Sequence, residues 1–170
     1  MKTFHVNWYG AFTPEEADGL LNPNSRKEGL SGNGLYAWTG KIERQRKDAC
    51  LLYIGITTES YSGRFGKKHK HRDINRDKYV WLGKIQHQKS TKSDLEAAEY
   101  LLVSYCRPKL NEQKLNLPQF PCTVISKFLK KDETEYQRVP LIIREIPEVI
   151  IWNSETGKIR TFSMSKTYTP

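Results

Sequence analysis

Gly34-Leu35-Tyr36-Ala37-Trp38, then Lys41–Asp48, then Cys50-Leu51-Leu52-Tyr53-Ile54-Gly55: this stretch decides how the chain folds. Its two ends are short, apolar and aromatic, and each is bounded by glycine or polar residues. The middle, KIERQRKD, is almost wholly charged. The pattern reads as two antiparallel strands joined by a long polar excursion.

Working outward toward the C-terminus, Ser60–His71 is polar and basic and reads as a helix, and Tyr79–Gln86 reads as a third strand. Alternation there puts Tyr79 and Trp81 on one face and Val80 and Leu82 on the other. The clearest helix is Asp94–Cys106, with Leu95, Ala98, Leu102 and Tyr105 spaced at three and four and Leu101 alongside. Ser93-Asp94-Leu95-Glu96 has the form of a capping box, and Pro108 stands where a helix breaker belongs. The tail Pro121–Ser163 is strand-rich. Val149–Trp152 and Ile159–Phe162 flank a turn with Gly157 and read as a hairpin. Toward the N-terminus, Thr3–Trp8 is a loose strand. Thr13-Pro14-Glu15-Glu16 combines an N-cap, a first-turn proline and a capping-box glutamate, so a helix of one or two turns is expected. Residues 22–33 are rich in Asn, Gly and Ser and read as a loop.

The expected fold is α/β (α+β): a small, mostly antiparallel central sheet flanked by helices, with a β-rich C-terminal extension. The 170 residues suit one domain. Within it, residues 1–33 form an N-terminal extension, 34–112 a core, and 113–170 a strand-rich extension packed on that core.

Lys and Arg number 28 against 19 Asp and Glu, a formal charge of +9. Such a surface attracts polyanions, of which nucleic acid is the commonest soluble one. The longest apolar stretches are strand-sized, far short of the roughly 20 residues of a spanning helix, so no membrane is expected. The N-terminus lacks the apolar run of a signal peptide. Cys50, Cys106 and Cys122 stand apart with no CxxC pair, which points to reduced cysteines in a cytoplasmic protein.

Two glutamates near the start of the long helix have different surroundings. Glu96 fits a bond back to the Ser93 N–H. Glu99 lies between Leu95 and Val103, at the edge of the apolar stripe and turned toward the sheet. A desolvated carboxylate is costly unless it meets a cation or donors. Periodicity leaves two answers open, a salt bridge or a divalent metal.

Several features now coincide. Gly34-Leu35-Tyr36 resembles the first half of the GIY-YIG nuclease signature, with Leu for Ile, and Tyr53-Ile54-Gly55 matches the second half. Arg64 follows Tyr53 by eleven residues, the family's spacing for its essential arginine, and Asn111 follows Glu99 by twelve through Arg107-Pro108-Lys109-Leu110. The resemblance covers about residues 34–111. The segment between the tyrosines is longer than the family's, which the charged run Lys41–Asp48 explains if it lies in the hairpin turn, where contact with DNA and simple solvation are equally good readings. Where members place His or Tyr, four residues after Arg64, this chain has Lys68, with His69 next.

The resemblance implies a metal-dependent endonuclease that hydrolyses phosphodiester bonds in DNA, similar to stand-alone restriction-type or mobile-element members. It implies Mg²⁺ or Mn²⁺ with Glu99 as the direct ligand. Tyr36 would be general base or would orient the water; a free phenol has a pKa near 10, so nearby cations such as Arg64 or Lys68 would favour the phenolate. Arg64 would clamp the phosphate with its fork of donors. Tyr53 would hold phosphate or water, Asn111 would fix geometry, and Lys68, then His69, would assist Tyr36. Lys67, Lys70, His71 and Arg72 would touch the backbone. Trp8, Trp38, Trp81 and Trp152 read as core. Partners expected are DNA, with RNA not set aside, and a homodimer if both strands are cut together. The alternative is a GIY-YIG-like module that holds nucleic acid without cutting it; a third reading is a structural domain with incidental basicity.

Overall fold

The computed structural model describes residues 1–20, 32–45, 47–58, 61, 65, 70–86, 90–111 and 116–163. Seven strands make one sheet: β1 (Lys2–Phe12), β2 (Gly34–Ile42), β3 (Cys50–Thr57), β4 (Ile74–Ile85), β5 (Cys122–Leu129), β6 (Val149–Asn153) and β7 (Lys158–Phe162). Two α-helices are described, the two-turn α1 (Pro14–Leu20) and the longer α2 (Lys92–Cys106). Strand order is β3-β2-β4-β1-β5-β6-β7. Every neighbour is antiparallel except β1 and β5, which run parallel from Lys2↔Cys122 to Tyr9↔Leu129.

This corrects the expected architecture. The sheet is large, curled and mixed, and among the described residues only α2 is a helix of substantial length; helices do not flank a small antiparallel sheet. The reason lies in pairing between distant segments. Residues 1–33 supply β1, which sits between β4 and β5 and so draws β5, β6 and β7 into the sheet that holds the β2–β3 hairpin. Most strands are legible from their own pattern, β5 only as part of a strand-rich tail, but the sheet they join is not. The helix expected over Ser60–His71 falls mostly outside the described residues; at its end, Lys70–Asp73 form a 3₁₀ turn.

Local signals are realised with one shift. At α1, Glu16 N–H donates to the Thr13 hydroxyl at 3.2 Å and Thr13 N–H donates to the Glu16 carboxylate at 2.8 Å, the expected reciprocal box. At α2 the box is formed by Thr91 and Asp94, not Ser93 and Glu96. Asp94 wins because Lys2, at the start of β1, also pairs with its carboxylate. Burial pushes the Asp94 carboxyl up, but the Lys2 and Thr91 hydrogen bonds outweigh it and hold the pKa below the usual range. Glu96, released from capping, pairs instead with Lys92 one turn back at 3.7 Å.

Side chains alternate across the sheet, and each face carries an apolar core. Leu35, Ala37, Leu51, Ile54, Phe4, Val6 and Trp8 pack with Leu95, Ala98, Leu101 and Leu102 of α2 in one core. Tyr36, Trp38, Leu52, Val80 and Leu82 pack with Phe12, Ala17 and Tyr61 in a second core on the other face. The four tryptophans are all buried, as expected, at 0–7% exposure.

The second core depends on two glycines of the hairpin. A Cβ at Gly55 would lie 2.6 Å from the Tyr36 hydroxyl and 2.7 Å from the rings of both Tyr36 and Tyr53. One at Gly34 would collide with the Tyr61 hydroxyl, which donates to the Gly83 carbonyl at 3.0 Å. Glycine is therefore what lets these rings lie flat on the sheet. Gly55→Ala should overpack this core and destabilise the fold by about 1–3 kcal/mol. Urea unfolding checks it, and an unchanged midpoint would mean that the rings do not rest on Gly55.

Candidate active site

Tyr36 and Tyr53 stand on neighbouring strands of the hairpin. The register pairs Tyr36 with Gly55 and Trp38 with Tyr53, so both tyrosines share one face. Their rings stack with centroids 5.9 Å apart and 24° between planes. Tyr61 and Phe65 meet the Tyr36 ring edge-on at 6.4 and 5.1 Å. The result is an aromatic cluster in which Tyr36 is fully buried and Tyr53 half-buried. Burial, with Tyr36 and Tyr9 nearby, pushes the Tyr61 phenol far above its ordinary value, so its proton stays for the bond to Gly83.

Asn111 reaches β3 from the segment after α2. Its side-chain oxygen accepts from Ile54 N–H at 2.9 Å and its amide donates to the Ile54 carbonyl at 2.7 Å. The side chain thus replaces a neighbouring strand at the middle residue of Tyr53-Ile54-Gly55. Leu110 N–H donates to the Leu52 carbonyl at 2.9 Å, and the Glu145 carboxylate accepts from Leu51 N–H at 2.9 Å.

Glu99 is 1% exposed on α2, a helix that packs chiefly against β3. Flanking residues Leu95, Leu102 and Val103 belong to the core on the face opposite the tyrosines. Glu99 therefore sits inside the buried arc of the helix, deeper than the stripe edge that periodicity gave it. β3 is one of the two edge strands of the sheet; it carries Tyr53, and Asn111 and the helix bearing Glu99 pack on it.

The basic residues divide. Arg64, Lys67, Lys68 and His69 lie outside the described residues. On the 3₁₀ turn, Lys70 and Arg72 are exposed, whereas His71 is half-buried with its ring stacked on Trp38 at 4.6 Å and 16°. Among the described residues no three His, Cys, Asp or Glu side chains are grouped to hold a metal. Mg²⁺ can take one carboxylate and keep its waters, but the burial of Glu99 is an obstacle to those waters.

Sequence reasoning passed over Lys84. Its ammonium donates to the Asn33 carbonyl at 2.8 Å and lies 5.1 Å from the centroid of the Tyr61 ring. Burial brings its pKa down to about 8. The signal available was a lysine one residue after Gly83 on a strand whose other polar positions are near its start. Comparisons with protein-family models, with curated proteins and with solved structures gave no match.

Two outcomes are expected. Asn111→Ala strands the Ile54 N–H and C=O at the sheet edge and should cost about 1–3 kcal/mol in urea unfolding, with Asn111→Asp intermediate because it keeps the acceptor. For Lys84 the folded pKa lies below the unfolded one. Between about pH 8 and the ordinary lysine value the unfolded chain holds a proton that the folded chain has released, so this group adds stability as pH rises through that window. Lys84→Met should remove that increment, which paired unfolding curves at pH 7.5 and 10 would reveal as a smaller rise than in the unaltered chain.

Proposed function

We propose that this chain is a metal-dependent endonuclease of the GIY-YIG type that hydrolyses phosphodiester bonds in DNA. One observation carries the reading. The tyrosines of both half-signatures share a face, Asn111 is bonded to the residue between Tyr53 and Gly55, and the helix bearing Glu99 packs on the same strand.

Each residue then has a task. Tyr36 orients the attacking water or takes its proton. Tyr53, with its partly exposed ring, holds phosphate or water beside it. Arg64 clamps the phosphate, and Lys68 or His69 supplies positive charge that favours the Tyr36 phenolate. Lys84 adds an ammonium on the same face. Asn111 acts through the backbone, by fixing the strand that carries Tyr53. Glu99, whose helical neighbours belong to the core on the opposite face of the sheet, is the residue that would hold Mg²⁺ or Mn²⁺, and such an ion when bound supplies polarisation of a phosphate and acidification of a water.

A second reading, binding without cleavage, has its own support. Tyr36 at 0% and Glu99 at 1% exposure require movement of covering side chains before a phosphate or hydrated ion can reach them. The two readings separate in one assay. Supercoiled plasmid and single-stranded DNA are incubated with Mg²⁺, Mn²⁺ or EDTA and with either the unaltered chain or Glu99→Gln. Metal-dependent cutting that falls roughly 100–1000-fold in a folded Glu99→Gln variant supports the nuclease. Salt-sensitive binding with no cutting on DNA from several sources supports the binding module instead.

A further inference from the structure

The face that carries the tyrosine cluster continues across the sheet. Tyr36 of β2 stands opposite Leu82 of β4, Leu82 opposite Tyr9 of β1, and Tyr9 beside Leu129 of β5. One pleat further, Lys84 stands opposite Asn7, and Asn7 beside Lys127. Partners in register share a face, so Lys84, Asn7 and Lys127 form a polar row beside the apolar one. The row runs away from Tyr61, whose ring Lys84 overlies, toward β5.

At its far end the row enters a groove of about 840 Å³. His5, Asn7, Gln86 and Lys127 line it from the strands, and Arg138 and Arg144 from the segment between β5 and β6. Lys127 is paired with Glu135 at 3.1 Å, and Glu148 adds a second carboxylate to the wall. Arg138 and Arg144 are exposed, and among the described residues neither has an ion-pair partner. Three fixed cations thus stand against two carboxylates, and three amides (Asn7, Gln86 and Gln137) also line the groove. Guanidinium groups suit phosphate oxygens, and Asn and Gln amides suit base edges.

We propose that this groove binds the nucleic-acid strand flanking the tyrosine cluster, with Arg138 and Arg144 on its phosphates and the amides on its bases. The assignment rests on the function proposed above for the class of ligand, but not on cleavage. From β2 to β5 there are three strand spacings of about 4.8 Å, about 14 Å in all. At about 3.4 Å per nucleotide, the groove contacts the strand on the order of four nucleotides from the cluster.

The test is binding of a fluorescent oligonucleotide, single-stranded and duplex, by anisotropy in EDTA across a salt series. The full chain is compared with the double variant Arg138→Ala/Arg144→Ala and with Lys158→Ala/Arg160→Ala on β7, outside the groove; all four side chains are exposed, so melting curves should coincide. The groove variant should bind more weakly, with the slope of log affinity against log salt reduced by roughly one per side chain removed, while the β7 variant keeps the slope of the unaltered chain. An unchanged groove variant, equal losses in both variants, or no binding by the unaltered chain would each overturn the proposal. If the groove variant loses binding but no protein cuts, the groove stands and the nuclease reading falls. If the unaltered chain cuts and the groove variant binds as before, the reverse holds.

Discussion

β1 sits at the centre of the sheet, and most of the molecule is arranged around that fact. It pairs with β4 on one side and with β5 on the other. Without it no strand of the β2–β3–β4 unit pairs with a strand of the β5–β6–β7 unit. Its inward residues Phe4, Val6 and Trp8 join both halves of the core beneath α2. The ion pair from Lys2 to Asp94 fastens the first turn of α2 to the start of the same strand. Parallel pairs favour burial, and large sheets often mix the two pairings. Here α2 and the core beneath it cover one face of the β1–β5 pair, while His5, Asn7 and Lys127 on the other face line a groove.

The candidate site is built from close approaches more than from charge. Gly34 and Gly55 leave room for rings to lie on the backbone, and the rings in turn fix one another's orientation. Tyr61 spends its hydroxyl on Gly83, so it braces the cluster while the Tyr36 and Tyr53 side chains stand on the hairpin proper. Lys84 extends this cluster with a positive charge held partly out of water.

Much of the local structure was legible. The hairpin, the α1 box, the long helix, the faces of β4 and the C-terminal hairpin follow from alternation, capping residues and glycine. What was not legible depended on partners far along the chain. Nothing in Thr3–Trp8 says that it will be central, and nothing in Ser93–Glu96 says that Lys2 will favour Asp94 over Glu96 as the capping acid. At the site, the two tyrosines and Asn111 could be picked out because they sit at fixed spacings in short motifs. Lys84, Arg138 and Arg144 could not, since they are brought near one another only by sheet register and by the path of the segment after β5. The burial of Glu99 was underestimated because periodicity describes a helix's own faces and not how deeply neighbours close over them.

The two outer margins of the sheet are treated differently. In the middle of β3, the Leu51 N–H, the Leu52 carbonyl and both backbone groups of Ile54 are taken by Glu145, Leu110 and Asn111, all from the same chain. A foreign strand would have to displace these covalently tethered competitors to dock along that stretch, which works against runaway polymerisation. β7 is five residues long and carries Lys158 and Arg160, a short, like-charged margin that repels its own copy. A chain with this much sheet is thereby kept from using it as a template for fibres.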